Sequence, residues 1–208
     1  MKLELRNFAG VQVRAAQGAD FVLEGVAASY GVDSNLIPGG PAGVPFVEQI
    51  QRGAFARTLR SSDDVKALFN HNPNHILGRR KNKTLVLEDT DIGLAFRCQL
   101  DQRNSEHRNL YASVKRGDID ECSFAFTVAK NGDLWNRDYT RRTLLDVTLF
   151  DVSVVANPAY PSGTSVAARS AQYVLDKNDA HYARHMAALA RLAPIIEADR
   201  KYLEGLED

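Results

Sequence analysis

The amino-acid sequence predicts an α+β fold: a mainly antiparallel, closed or nearly closed β-barrel, with a few helices packed outside it and a helical tail at its C-terminal end. Three observations predict it. Short segments of alternating apolar and polar residues recur up to about Asn157, separated by clusters of Gly, Asn and Pro. Only two helical stretches interrupt them. From Ser170 the composition turns to alanine, charge and leucine, and Tyr182, Met186, Leu189, Leu192, Ile195, Ile196 and Leu203 recur at helical spacing.

At 208 residues the chain fits one domain with an appendage, since a single core stays efficient up to roughly 250 residues. The division expected is residues 1–162 for the barrel and 163–208 for a linker and helical tail, which Pro194 should kink or divide. Strands are expected at Phe21 to Tyr30, Val65 to Phe69, Thr84 to Glu88, Leu94 to Leu100, Ile119 to Ala129 and Thr143 to Ala156. The stretch Gly31 to Pro45 holds three prolines and four glycines and reads as a surface loop. Helices are expected near Gly53 to Ser61 and from Asn104 to Arg116, the second with Leu110 and Val114 on one face, a weak cap at Asn104 and a stop at Gly117.

Charge and composition remove several function classes. A hydrophobic content of 44% supports a real core, and 26 basic residues cancel 26 acidic ones. The broad positive field that non-specific nucleic-acid binding needs is therefore missing. No apolar run approaches the roughly 20 residues of a membrane span, and Met1-Lys2-Leu3-Glu4 has no signal-peptide core, so a cytoplasmic protein is expected. The two cysteines, Cys98 and Cys122, are too few for a disulfide framework or a zinc site and read as buried thiols.

No single motif announces the chemistry, so any catalysis must come from residues distant in sequence. His181 and His185 lie in the tail, and His107 falls on the predicted helix among polar neighbours, where a solvated face is expected. His71 follows an apolar strand in Leu68-Phe69-Asn70-His71-Asn72-Pro73, a strand-end turn that can mount a general base or simply face solvent. His75 lies four residues on, but Asn72 and Pro73 oppose the helix that would let the pair share a metal, so no metal is expected.

Ser123 sits in Cys122-Ser123-Phe124-Ala125-Phe126, where a strand would put the two rings on one face and Ser123 with Ala125 on the other. Cys122 would then point away from Ser123. A serine becomes a nucleophile only beside an imidazole that takes its proton, and that imidazole needs orienting. Two acids on the last strand qualify. Asp151 shares a face with Leu149 and Ser153 on a regular strand, while Asp146 has the opposite parity; Asp151 is favoured, and an ordinary salt-bridged strand acid remains open for either.

Ordered blocks carry a resemblance over roughly Phe46 to Pro161. They are Phe46-Val47-Glu48-x-Ile50 with Gly53-Ala54-Phe55, then Leu68-Phe69-Asn70-His71 with Leu77-Gly78-Arg79, then Gly93-Leu94. Gly117-Asp118-Ile119 follows, leading into Ser123-Phe124-Ala125-Phe126, and Asp151-Val152-Ser153-Val154-Val155 with Asn157-Pro158-Ala159-Tyr160-Pro161 ends the series. In this order they resemble the prohead serine proteases of tailed phages, themselves similar to the herpesvirus assemblin proteases. The resemblance implies an assemblin-like fold, with His71 as base and Ser123 as nucleophile. Where the family usually has glycine this chain has Ala125, and the assemblin third member, a second histidine, has no counterpart between Ser123 and His181. An acid is the expected substitute.

The resemblance further implies a serine endopeptidase that needs no cofactor and cuts scaffold or major capsid protein segments, and itself, within the assembling prohead in the host cytoplasm. Self-association and no nucleic-acid or membrane partner go with it. The competing reading is a catalytically inactive assembly or scaffold module of the same fold.

Overall fold

The computed structural model describes residues 3–6, 12–16, 21–41 and 43–156. In chain order the strands begin with β1 (Glu4–Arg6), β2 (Gln12–Ala15), β3 (Val22–Ser29) and β4 (Val47–Ile50), followed by the short helix α1 (Ala56–Arg60). Next come β5 (Lys66–Phe69), β6 (Asn72–Arg79), β7 (Leu85–Asp89), β8 (Gly93–Gln99) and helix α2 (Ser105–Arg116). The series ends with β9 (Glu121–Val128), β10 (Asp133–Trp135), β11 (Arg141–Leu144) and β12 (Val147–Val155).

Among the described residues the strands form three sheets, ordered β1-β9-β12-β5-β6, β2-β3-β8-β7 and β10-β11-β4. Most pairs are antiparallel, and two, β12 with β5 and β11 with β4, are parallel. The α+β class holds, but among the described residues the sheets do not close into a barrel. The edges of the first sheet show why. β1 is only three residues long, and β6 carries Pro73, whose missing N–H cannot extend a ladder and is tolerated at an edge. The expected helical tail, and with it residues 157–208, lies outside the described residues.

Alternation places the core between sheets. Cys122, Phe124 and Phe126 of β9 and Val152 and Val154 of β12 point inward with Leu94, Phe96 and Cys98 of β8. The ring of Phe124 stacks on Phe126 at 5.1 Å and meets the edge of Phe55 at 5.6 Å. Each such fully buried ring contributes on the order of 2 to 3 kcal/mol. Pointing inward, these rings leave Ser123 and Ala125 on the other face of β9, as the sequence pattern required.

Helix α2 matches its sequence reading. Asn104 Oδ1 accepts the Glu106 N–H at 2.9 Å, Gly117 ends the helix at φ 85°, and Leu110 and Val114 are buried. A cap of that kind contributes about 1 kcal/mol. His107 departs from its expected solvated place. It is buried, its Nδ1 accepts the Asp101 N–H and its Nε2 lies 3.0 Å from the Ile76 carbonyl, so the ring ties α2 to β6. Periodicity could not show this, because His107 is polar on the face that carries Leu110 and Val114.

Two expected boundaries also move. The single strand Thr143 to Ala156 divides into β11 and β12, with Leu145 and Asp146 turning back to bond Gly132. The helix at Gly53 to Ser61 shrinks to the five residues of α1, held by the buried Thr58, whose hydroxyl donates to the Val147 carbonyl and accepts the Leu149 N–H. The described residues between Gly31 and Pro45 are irregular apart from isolated bridges at Asp33 and Ile37.

Gly78 marks a close approach of β6 to its neighbours, since a Cβ there would lie 2.7 Å from Cys98 Sγ and 2.8 Å from the Thr84 carbonyl oxygen. Gly78→Ala should destabilise the fold by about 1 to 3 kcal/mol through overpacking, read as a lower urea midpoint at unchanged slope. An unchanged midpoint would contradict this packing.

Candidate active site

The turn between β5 and β6 carries the histidine. Phe69 pairs with Asn72, leaving Asn70 and His71 as a two-residue hairpin loop with φ of 53° and 55°. Positive φ at both positions is what a tight hairpin of this class requires, and asparagine and histidine tolerate it better than most residues. The loop is fastened to the end of β12 at three points. The Asn70 N–H donates to the Val154 carbonyl (2.9 Å), Asn70 Oδ1 accepts the Ala156 N–H (3.0 Å), and the His71 N–H donates to Ser153 Oγ (3.2 Å).

The serine and the acid come from neighbouring strands. β9 and β12 pair antiparallel, Ser123 opposite Ser153 and Ala125 opposite Asp151, so these residues share the face away from the aromatic core. Above that face lies the imidazole. His71 Nδ1 is 2.7 Å from Asp151 Oδ1, and His71 Nε2 is 2.7 Å from Ser123 Oγ. Ser153 Oγ donates to the same Asp151 oxygen at 2.7 Å. The His71 side chain is 14% exposed, and Ser123 is fully buried.

The acids separate for a reason that a regular strand does not provide. The β9–β12 register shifts between Leu149 and Asp151, a bulge that leaves Phe150 exposed. Leu149 and Val152 therefore both face the core, and Asp151 does not share the face of Leu149 as strict alternation implies. Thr58 supports the irregular stretch by taking the Leu149 N–H. Asp146 lies before β12, where Arg57 Nε contacts both carboxylate oxygens at 3.0 Å, and it plays no part in the hydrogen-bonded line.

The proton inventory of this line is restrictive. A carboxylate only accepts, so Asp151 selects the tautomer with hydrogen on Nδ1 and leaves the Nε2 lone pair facing the Ser123 hydroxyl. Such an arrangement can remove a proton from the serine as its oxygen attacks a carbonyl. The hydroxyl has a second acceptor, the Arg6 carbonyl, at 2.9 Å.

Beneath β1 lies a cluster of charges. Arg6 Nε bonds Glu48 Oε1 at 2.8 Å, and Arg142 bonds Glu48 Oε2 at 2.9 Å, Glu4 Oε2 at 2.8 Å and Asp133 Oδ2 at 2.8 Å. Burial pushes the Glu4 carboxyl up, but Arg142 and Arg6 outweigh it and hold the group below the usual carboxylate range. At the fully buried Glu48 desolvation outweighs the same two guanidiniums and pushes the carboxyl up.

Sequence reasoning missed Ser153 and Arg6. Ser153 had a signal, its position two residues from Asp151 on the same face; Arg6 contributes a main-chain carbonyl, which no side-chain pattern can flag. His75 pairs with Glu106 at 3.4 Å, and no group of potential metal ligands occurs among the described residues. A cavity of about 290 Å³ between α2 and β6 is lined by Phe69, His75, Leu77, His107 and Leu110 among others, and none of Ser123, His71 and Asp151 lines it.

Cys122 turns into the core, as alternation predicts. Burial, with Glu121 and Asp120 nearby, pushes its thiol well up, and burial pushes Cys98 up to about 12. Neither can supply a thiolate near neutral pH. Ellman's reagent should therefore leave both thiols untouched in the native protein and titrate both after denaturation; rapid native reaction at Cys122 would contradict its placement.

Neither the curated proteins nor the solved structures gave a match to the chain. Residues 9–177 match the family of the caudovirus prohead serine protease, a span that includes the histidine turn, the serine strand and the acid strand. The chain belongs to the caudovirus prohead serine protease family, whose role is proteolysis during phage capsid maturation inside the assembling prohead.

Proposed function

We propose that the chain is a serine endopeptidase in which Ser123 is the nucleophile, His71 the general base and Asp151 the group that orients and stabilises the imidazolium. The observation that carries this reading is the line of close contacts from Asp151 through both ring nitrogens of His71 to Ser123 Oγ, each 2.7 Å long. Three residues 52 and 80 positions apart in the chain meet there.

The chemistry follows from that line. Ser123 Oγ forms a bond to a peptide carbonyl carbon while its proton passes to His71 Nε2, and the carbonyl oxygen becomes an alkoxide. As the intermediate collapses, the C–N bond breaks and the departing amine takes the proton from Nε2. An acyl-enzyme remains, and water repeats the sequence in reverse to release the acid and restore the hydroxyl. Asp151 keeps its negative charge throughout and favours the imidazolium that forms in between. Ser153, bonded to Asp151 and to the His71 N–H, fixes the acid and the turn together.

The substrates in this reading are scaffold or major capsid protein segments held within the prohead, and the chain's own residues beyond β12. The Ala156 N–H donates to Asn70 Oδ1, next to the catalytic histidine. A segment of the same chain meets the reacting groups at a higher effective concentration than a separate molecule does, which favours self-cleavage. The inactive assembly module is the alternative, favoured by the complete burial of Ser123.

A fluorophosphonate probe separates the two. Wild type should be labelled at Ser123, with Ser123→Ala and His71→Ala unlabelled and Asp151→Asn slower by on the order of 10⁴. Asp146→Asn should react at the wild-type rate. Absence of label on folded wild type, or labelling indifferent to His71→Ala, would contradict the proposal. Intact-mass spectrometry of wild type against Ser123→Ala tests self-cleavage: a shortened species is expected in wild type alone, and identical masses over days would refute it.

A further inference from the structure

Ser123 has one hydroxyl proton and two acceptors for it. His71 Nε2 stands 2.7 Å from the oxygen and the Arg6 carbonyl oxygen 2.9 Å. A carbonyl oxygen can only accept, so a proton held by Arg6 is withheld from the base, and Nε2 then has no proton to receive as attack begins. The contact also has a steric side. Ser123 is fully buried, so no peptide carbonyl can approach its oxygen while the covering groups stay in place. The Arg6 carbonyl is one of those groups.

The element that brings Arg6 there is slight. β1 is three residues long and forms the edge of its sheet, paired antiparallel with β9 so that Arg6 lies opposite Phe124 and Glu4 opposite Phe126. Opposed residues share a face, so both charged side chains point away from Ser123, down to Glu48 and Arg142, and the Arg6 guanidinium lies 5.7 Å from the Phe126 ring centre. These charges are the anchors of β1. Without them Glu48 and Arg142 still hold each other at 2.9 Å, so releasing β1 leaves no buried charge unpaired.

We propose that β1 is an exchangeable latch on the active site. It occupies the open edge of the strand that carries Ser123, and the Arg6 carbonyl keeps the hydroxyl in an unreactive arrangement until the segment lifts. An extended peptide displaces it, adding as a strand to the edge of β9 that Glu4–Arg6 vacates. The latch rests on the catalytic roles of Ser123 and His71 proposed above. It adds that the described conformation is the resting one and that the protein's own residues 4–6 compete with substrate.

Glu4→Ala/Arg6→Ala in the full chain removes the anchors and leaves the catalytic groups intact. Fluorophosphonate labelling of Ser123 should accelerate by on the order of tenfold, the population shift expected when charge-assisted hydrogen bonds holding one state are lost. A synthetic peptide of residues 2–8, added in trans, should slow the variant again. Unchanged or slower labelling in a variant with wild-type near-ultraviolet circular dichroism would overturn the latch, as would a peptide without effect. Should the variant fail to fold, hydrogen exchange of the wild type decides: β1 amides exchanging far faster than those of β9 and β12 support a detachable edge, and equal protection refutes it. Equal labelling of wild type and variant sinks the latch alone, whereas no labelling of either sinks the catalytic reading with it.

Discussion

The pairing of β9 with β12 is the constraint on which the site depends. It sets Ser123 opposite Ser153, and its bulge at Phe150 lets Leu149 and Val152 both enter the core while Asp151 turns to the serine's face. Without that irregularity strict alternation would place Asp151 and Val152 on faces opposite to those they occupy, and burial of the apolar positions would conflict with placement of the acid. The Thr58 hydroxyl takes the Leu149 N–H beside the bulge, so a five-residue helix supports the geometry of the acid.

The second half of the site is built on the same strand. The Asn70-His71 turn is fastened to Val154, Ser153 and Ala156, so the imidazole inherits its position from β12 rather than from a free loop. Left-handed backbone at two successive residues is a local cost of the kind that functional turns carry. Three bonds to one strand end over-determine it. The acid, its supporting serine and the histidine mount are therefore held together at one strand end, the alignment that the proposed proton transfer needs.

Much of this was legible in the residues. Alternation in Cys122 to Phe126 separated the aromatic face from the serine face, and the capped helix at Asn104 to Gly117 was readable from local rules. The preference for Asp151 over Asp146 selected the acid that meets His71, although the parity argument behind it assumed an unbroken strand; bulges leave no mark in an apolar pattern. Barrel closure was over-read, because strand count does not reveal whether edges pair, and β1, β2, β4 and β10 are too short for periodicity to find. The place of His107 between α2 and β6 and the contact of the Arg6 carbonyl with Ser123 arise from tertiary packing alone. Ordered blocks spread over the chain, matched by the family assignment of residues 9–177, carried the functional reading that no local motif could.

In the proposed mechanism Asp151 holds the Nδ1 proton of His71 and so leaves Nε2 to face the serine. Proton NMR of histidine-¹⁵N-labelled protein reads that hydrogen bond directly. A strongly downfield Nδ1 proton resonance of His71 is predicted in wild type and in Asp146→Asn and should vanish or shift far upfield in Asp151→Asn. A resonance unaffected by Asp151→Asn, or one lost on Asp146→Asn instead, would contradict the account.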